Sequence, residues 1–308
     1  TTSTASYCIG LGTTALDAIT TGDAITAVGY NAATAVTEGA WTTAIGAYSL
    51  QATTTMQNNT AVGGYSGAAC TGQDNVFMGS GAGQSVTSCD DSVVIGYQAA
   101  GLGVMTGDKN TLIGKHAGLD LTSGYDNTFM GNGAGANVTT GIKNVAVGRG
   151  ALITGTDMDY NIAIGMDAIG NGGVSGDHNI CIGLEAGNAI TSGASNTIVG
   201  HQAGDAVTEG VGNTLIGNIS GGAITTGDYN IGIGGTGGYG FTEGDHNIGI
   251  GQLAGYSGTS TGSDNIFIGR HAGKNGGQYT TGNYNLALGS GAMSGAWTGG
   301  SSNVALGF

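Results

Sequence analysis

A five-residue pattern, Asn-x-x-aliphatic-Gly, recurs along the whole chain at a nearly constant spacing. Two examples are Asn110-Thr-Leu-Ile-Gly114 and Asn127-Thr-Phe-Met-Gly131. Eighteen boxes, fourteen of which contain the Asn, follow one another at intervals of 16 to 20 residues, most often 17, and each is marked by its final glycine. A period of this length is typical of stacked structural repeats that share one continuous core. The box glycines are Gly10, Gly29, Gly46, Gly63, Gly79, Gly96, Gly114, Gly131, Gly148, Gly165, Gly183, Gly200, Gly217, Gly234, Gly251, Gly269, Gly289 and Gly307.

The box itself has the pattern of a short β-strand. The residue before the glycine is always aliphatic or Met, and the residue three before it is Val, Ile, Leu or Thr, except for Tyr7 in the first box. These alternate positions share one face of a strand, so we expect them to form the core. The middle position is also mostly apolar, as at Leu112, Phe129 and Cys181. A strand with two apolar faces is buried on both, so we expect the middle position to pack against another copy of the chain.

The rest of each repeat predicts a second strand and two turns. An aliphatic residue and a Thr precede a second glycine, as at Gly107 and Gly227, which lies seven residues before the box glycine. Glycine suits such turns because it reaches positive φ without steric cost. Stacking of these units predicts an all-β fold over 1–308, a single parallel β-solenoid (β-roll or β-helix) of about 18 rungs with two short strands in each.

Composition excludes several other classes. The chain has 66 Gly but no Pro, and its glycines lack the three-residue period of collagen. Since 39% of residues are hydrophobic and 8% are charged, the chain should fold rather than stay disordered. A net charge of −14 does not suit nucleic acid, and no apolar run reaches the roughly 20 residues of a membrane span. We expect neither nucleic acid nor a membrane as partner.

Stacking places equivalent polar residues in columns. The box asparagines are expected to form a structural amide ladder, in which each side chain bonds its neighbours. The predicted ladder residues are Asn110, Asn127, Asn144, Asn161, Asn179, Asn196, Asn213, Asn230, Asn247 and Asn265.

Acidic residues cluster at the second turn, where Asp74, Asp90 and Asp91 are the best candidates for calcium ligands. The nine-residue calcium β-roll signature is absent, and the pattern favours turn capping by these side chains over a cofactor. The five histidines are not on adjacent rungs, so no histidine metal site or catalytic site is predicted.

The cysteines and the threonine column each allow two interpretations. Cys70 and Cys89 fall on the same turn of consecutive rungs, so they could form a disulfide or stay as two thiols. A disulfide would fit an extracellular location. A Thr column that includes Thr122 and Thr139 suggests either turn bonding or an ice-binding surface. Only one such column is present, which favours turn bonding.

The boxes Asn144-Val-Ala-Val-Gly148, Asn161-Ile-Ala-Ile-Gly165 and Asn303-Val-Ala-Leu-Gly307 resemble two groups of repeats. One group is the head repeats of trimeric autotransporter adhesins, and the other is the glycine-rich repeats of phage tail fibres and bacterial surface proteins. The resemblance implies a trimeric β-roll whose outer surface binds host ligands, on a cell surface or a virion. The repeat of this chain is longer than that of the adhesins.

These features together predict a non-enzymatic structural protein that forms an extracellular fibre. The expected partner is the chain itself, either laterally or head to tail, because neither end shows a recognisable cap. The alternative to head-to-tail pairing is that a longer fibre protein supplies the caps. The alternative functions are a trimeric adhesin or tail-fibre shaft that binds a cell-surface glycan or receptor, and an ice-binding protein.

Overall fold

The computed structural model describes residues 4–170, 175–257, 259–275, 279–295 and 300–307. Within these ranges the chain is all-β, and its internal contacts define two compact units, Thr1–Asp157 and Met158–Phe308. The described strands of the first unit are β1 Ile9–Leu11, β2 Asp23–Val28, β3 Ala40–Ile45, β4 Thr60–Val62, β5 Val76–Met78, β6 Val93–Ile95, β7 Thr111–Ile113, β8 Thr128–Met130 and β9 Val145–Val147. Those of the second are β10 Ile162–Ile164, β11 Ile180–Ile182, β12 Thr197–Val199, β13 Thr214–Ile216, β14 Ile231–Ile233, β15 Ile248–Ile250, β16 Thr259–Ser260, β17 Ile266–Ile268, β18 Tyr279–Thr280, β19 Leu286–Leu288 and β20 Val304–Leu306.

Each box forms one strand, and these box strands stack in parallel. In the first unit β1 to β9 pair in chain order, with Leu112 of β7 opposite Phe129 of β8. In the second unit β10 to β15, β17, β19 and β20 do the same, with Ile198 of β12 opposite Leu215 of β13. The predicted parallel β-solenoid with a rung of about 17 residues is therefore confirmed. The extent of a single domain over 1–308 stays a prediction.

The first rung has a different register from the predicted one. Ile9 and Leu11 pair with Thr26 and Val28, so Gly12, at φ +137°, holds the position of the box glycine instead of Gly10. The interval to Gly29 becomes 17 residues. Both Gly10 and Gly12 follow an aliphatic residue, so the box pattern fits either. Cys8 consequently takes the position of the box asparagine, where its Sγ contacts the Gly22 carbonyl at 3.4 Å.

A second regular strand is rare among the described residues. Only β16 and β18 form one, and they pair with each other. In the other rungs donors converge on a single carbonyl: the N–H groups of Thr122 and Gly124 both donate to Thr139 O, at 2.8 and 3.3 Å. These bonds join successive rungs at the turn, but two donors on one carbonyl do not form the evenly spaced ladder of a parallel strand pair. The prediction of two strands in each rung is therefore wrong for most of the described chain.

The core lies on the opposite face of the box strand from the predicted one. The middle residues Leu112, Phe129 and Cys181 are fully buried, whereas Met130, one residue before its box glycine, is 40% exposed. The rest of the core comes from the residue three after the box glycine and the aliphatic residue ten before the next one, as at Ala117 and Leu121. Side chains alternate between the two faces of a strand, so the middle residue lies on the same face as the box asparagine two positions earlier. Because that asparagine is buried, the middle residue is buried too. The prediction that the middle column contacts another chain was wrong.

The two glycines of each rung are required for different reasons. Gly114, a box glycine, has φ +137°, and an added Cβ would lie 2.4 Å from the carbonyl oxygen of Gly131 in the next rung. Gly107, seven residues earlier, lacks a positive φ, but an added Cβ would lie 2.0 Å from Gly124 O. Close approach of successive rungs, not positive φ, therefore selects glycine at the second turn, which corrects the sequence-based explanation.

Candidate functional site

The box asparagines form a buried hydrogen-bonded column within each unit. In the first unit Asn127 donates from its backbone N and from Nδ2 to Asn110 Oδ1, at 3.1 and 3.2 Å. Asn144 donates in the same way to Asn127 Oδ1, at 2.9 and 3.2 Å. The second Nδ2 proton of Asn127 goes to Gly141 O at 2.8 Å. Two donors and two acceptor sites are thus all used, as burial of an amide demands.

The second unit repeats this arrangement. Asn196 donates from N and Nδ2 to Asn179 Oδ1, at 3.1 and 3.0 Å, and from Nδ2 to Gly210 O at 2.8 Å. The asparagines predicted from the sequence are all at most 2% exposed, namely Asn110, Asn127, Asn144, Asn161, Asn179, Asn196, Asn213, Asn230, Asn247 and Asn265. Ser92 replaces the amide in one rung, where its N–H donates to Asn75 Oδ1 and its Oγ accepts from the Asn110 N–H.

The threonine column forms a second ladder. Thr122 Oγ1 donates to Thr139 O at 2.9 Å, and Thr191 Oγ1 donates to Thr208 O at 3.0 Å. These half-buried hydroxyls bond the backbone of the next rung, as the turn-bonding alternative predicts. The ice-binding alternative stays untested, and a thermal-hysteresis measurement would decide it.

The aspartates at the second turn cap the backbone of the preceding rung. Asp90 Oδ1 accepts from Gln73 N at 2.7 Å, and Asp108 Oδ1 accepts from Asp90 N at 2.9 Å. Equivalent bonds link Asp177 to Asp159 N and Asp245 to Asp228 N. These carboxylates accept hydrogen bonds from backbone N–H groups at the turn, as Asp and Asn side chains do in Asx turns.

The calcium candidates lie in two adjacent columns of successive rungs, since Val76 pairs with Val93 and Asp74 is therefore level with Asp91. Asp90 takes part in the capping column, and Asp74 Oδ1 accepts from Asn58 Nδ2 at 2.8 Å. Asp91 lies at a left-handed position with φ 55°. In the described part of the chain no group of three or more His, Cys, Asp or Glu side chains has a metal-binding arrangement.

The four cysteines are all thiols in this structure. Cys70 and Cys89 are buried on either side of Asn75, whose Nδ2 lies 3.9 Å from Cys70 Sγ and whose Oδ1 lies 3.5 Å from Cys89 Sγ. Burial raises the pKa of Cys70 to about 11 and raises the pKa values of Cys89 and Cys181 further. A disulfide between Cys70 and Cys89 stays a prediction.

Aromatic rings stack between neighbouring rungs of the second unit. His178 stacks on Tyr160 with ring centroids 4.9 Å apart, and His246 stacks on Tyr229 at 5.3 Å. In each pair both residues lie five before their box glycines. The sequence pattern gave no indication of these tyrosine–histidine pairs.

An apolar sheet surface lies outside the solenoid core in each unit. We call it the outer face: the residues one and three before each box glycine, such as Ile113 and Thr111 in β7. Its larger side chains include Met78, Ile182 and Ile216, which are 36–40% exposed. None of the 18 rungs carries a charged residue at either position. Sequence analysis found these columns but assigned them to the core.

A surface cleft lies at the second turn of the first unit. Its volume is about 310 Å³, and two successive rungs supply its walls. The lining residues are Thr106, Gly107, Asp108, Lys109, Ser123, Tyr125 and Asp126. It combines an aromatic ring, two carboxylates, an ammonium group and two hydroxyls, a set of groups suited to binding and not to nucleophilic catalysis.

Comparison with known proteins finds no matching family model and no curated protein with significant similarity. Among the residues described here, no helix has the length and apolar character needed to cross a bilayer. The fold and its columns therefore define the class directly: a parallel β-solenoid whose rungs are joined by side-chain ladders.

Proposed function

We propose that this chain is a non-enzymatic structural protein that builds an extracellular fibre by lateral association of copies through the outer face. The observation that carries the proposal is this uncharged sheet surface of aliphatic, Met and Thr side chains on a chain of net charge −14. A fibre of this kind would lie on a cell surface or on a virion.

The size of the outer face supports an interface. Nine box strands per unit, about 4.8 Å apart and about 10 Å across at three residues each, give roughly 400 Å² of flat surface per unit. Soluble monomers rarely expose a contiguous apolar patch of more than a few hundred Å², and larger patches are typical of interaction sites. A stable protein interface buries about 800 Å² per partner, so the outer face of one unit supplies roughly half of that area.

The ladders supply the mechanical property that a fibre requires. Three repeated polar columns join one rung to the next within a unit: amides at Asn110 and Asn127, hydroxyls at Thr122, and carboxylates at Asp108. Buried amides that are fully bonded resist local opening because a broken bond leaves an unpaired group in the core. Such a shaft is stiff along its stacking direction.

Sedimentation velocity of purified protein tests the association. We expect the wild type to form dimers, trimers or larger assemblies, and the double variant Met130→Glu/Ile182→Glu to sediment as a monomer because its charges would be buried in the interface. Leu102→Glu is the control, since Leu102 is 62% exposed and lies off the outer face. A monomeric wild type, or equal assembly of the double variant, would overturn the proposal.

Receptor or glycan binding by a trimeric adhesin or tail-fibre shaft is the second candidate function. The cleft at Tyr125 favours it, because an exposed aromatic ring among polar groups is suited to a sugar. Calcium is not required by either candidate. Binding of labelled glycans to assembled protein on an array would test this function, and a blank array would count against it.

A further inference from the structure

The cleft in the first unit results from one change in a repeated column. The residue six before the box glycine is Asp in the two preceding rungs, Asp90 and Asp108, but Tyr125 in the next. Tyr125 is the only aromatic residue at this position in the chain, and its side chain is 41% exposed. The change replaces a capping carboxylate by a ring on the surface.

This replacement removes the capping carboxylate that the two preceding rungs have. Asp108 caps the N–H of Asp90, but Tyr125 has no carboxylate with which to cap the N–H of Asp108. Within the described residues that N–H has no hydrogen-bond acceptor. Asp108 lines the cleft together with Lys109 and Ser123, so the cleft contains donors as well as acceptors.

The chemistry of the lining selects a class of ligand. An exposed tyrosine ring can contact the apolar face of a sugar, while Asp108 and Asp126 accept hydrogen bonds from hydroxyls. Lys109 and Ser123 donate to ring or hydroxyl oxygens. Two carboxylates against one ammonium give the cleft a net negative charge, which disfavours sulfated, phosphorylated or sialylated sugars.

We propose that this cleft is a binding site for a neutral sugar, with the ring of Tyr125 as the stacking platform. The proposal deepens the second candidate function and rests on it, and it does not depend on lateral association through the outer face.

Saturation-transfer NMR of the full chain tests the site, with methyl β-galactoside, methyl β-glucoside and methyl β-N-acetylglucosaminide as probes. We expect saturable binding of at least one of these sugars, with transfer strongest at the ring C–H protons. Tyr125→Ala should weaken that binding at least tenfold, and Tyr125→Phe should retain it within about threefold because the ring is kept. Alanine occupies the equivalent position at Ala194, so Tyr125→Ala should fold.

The control variant is Tyr229→Ala, which removes a tyrosine that is 56% exposed in the second unit and should leave sugar binding unchanged. Absence of saturable binding to all three probes would overturn the proposal. Equal weakening by Tyr125→Ala and Tyr229→Ala would overturn it as well. Sedimentation of the same samples reports association separately, so failure of sugar binding is distinguishable from failure of lateral assembly.

Discussion

Asn110 Oδ1 accepts two hydrogen bonds from Asn127, one from the backbone N–H at 3.1 Å and one from Nδ2 at 3.2 Å. Because both residues are buried, water cannot replace either bond. One amide therefore joins the main chain and the side chain of the next rung at once. Loss of the Asn127 side chain affects three rungs, since its Oδ1 also accepts from the Asn144 N–H and its Nδ2 donates to the Gly141 carbonyl.

Asn127→Ala should accordingly lower the free energy of unfolding by about 2–4 kcal/mol, because it leaves the buried Gly141 carbonyl and the buried donors of Asn144 without their hydrogen-bond partner. Urea denaturation followed by circular dichroism measures this change. Asn132→Ala is the matched control: Asn132 is exposed and should shift stability by less than about 0.5 kcal/mol. Equal effects of the two substitutions would show that the ladder adds no stability.

The period of the boxes was sufficient to predict the solenoid and to put the asparagines in one column. It did not decide which face of the strand is the core, because Thr111, Leu112 and Ile113 are apolar or small on both sides. The asparagine at position 110 carried the missing information: its burial fixes the inward face, yet a polar residue in a strand is ordinarily assigned to solvent. Only the bonds to neighbouring rungs make this burial favourable.

The register of the first rung and the cleft were not predicted from the sequence, for different reasons. Ile9-Gly10 and Leu11-Gly12 both satisfy the end of the box. The 19-residue interval from Gly10 to Gly29 and the exceptional Tyr7 were the signs of the wrong choice. Tyr125 is one of 12 tyrosines in the chain. Its significance depends on a column position that becomes visible only when the capping bonds of Asp90 and Asp108 are known.

Box glycines should tolerate no side chain. We expect Gly114→Ala to cost at least about 3 kcal/mol or to prevent folding, because φ is +137° and the new Cβ would meet Gly131 O at 2.4 Å. Gly64→Ala is the control, since its φ is not positive and the nearest atom to an added Cβ, Ala47 O, is 3.9 Å away. That variant should be neutral or up to about 1 kcal/mol more stable. Thermal unfolding of both variants checks the difference, and similar melting temperatures would contradict the rung-contact explanation.

The distribution of charge predicts that associated copies lie parallel. In the first unit the second turn, eight to five residues before the box glycine, carries eight acids and two lysines, whereas the six residues after the box glycine carry two of each sign. The net charges are 2 − 8 = −6 on one border of the outer face and 2 − 2 = 0 on the other. A two-fold axis along the stacking direction places the acidic border of one copy against the neutral border of its partner, and an antiparallel pair places two acidic borders together.

Cysteine cross-linking measures this orientation. In a Cys8→Ser background, Val62→Cys and Met130→Cys put thiols on the outer face four strands apart, about 19 Å at the sheet spacing. In a parallel pair a short bismaleimide should join identical positions in both variants. Cross-linking of only one variant to itself would indicate an antiparallel pair and would contradict the charge argument. Leu102→Cys, off the outer face, is the control and should stay uncross-linked.

The buried thiol of Cys181 should make stability depend on pH in the alkaline range. Burial raises the pKa of this thiol far above its ordinary value near 9, so the folded protein keeps it neutral. In the unfolded chain the thiol ionises near its ordinary pKa. Its contribution to stability is therefore complete below about pH 8 and falls by up to about 1.4 kcal/mol per pH unit above pH 9.

The Cys181→Ala variant has no thiol at this position and therefore lacks this pH dependence. Alanine occupies the equivalent middle position at Ala163. We expect the wild type to be more stable than the variant by about 1–2 kcal/mol at pH 7, because the smaller side chain leaves a cavity. The difference should shrink and then reverse between pH 9 and 10.5 in urea titrations under reducing conditions. Parallel pH profiles for the two proteins would mean that the thiol ionises equally in the folded and unfolded chains, which burial in the core does not allow.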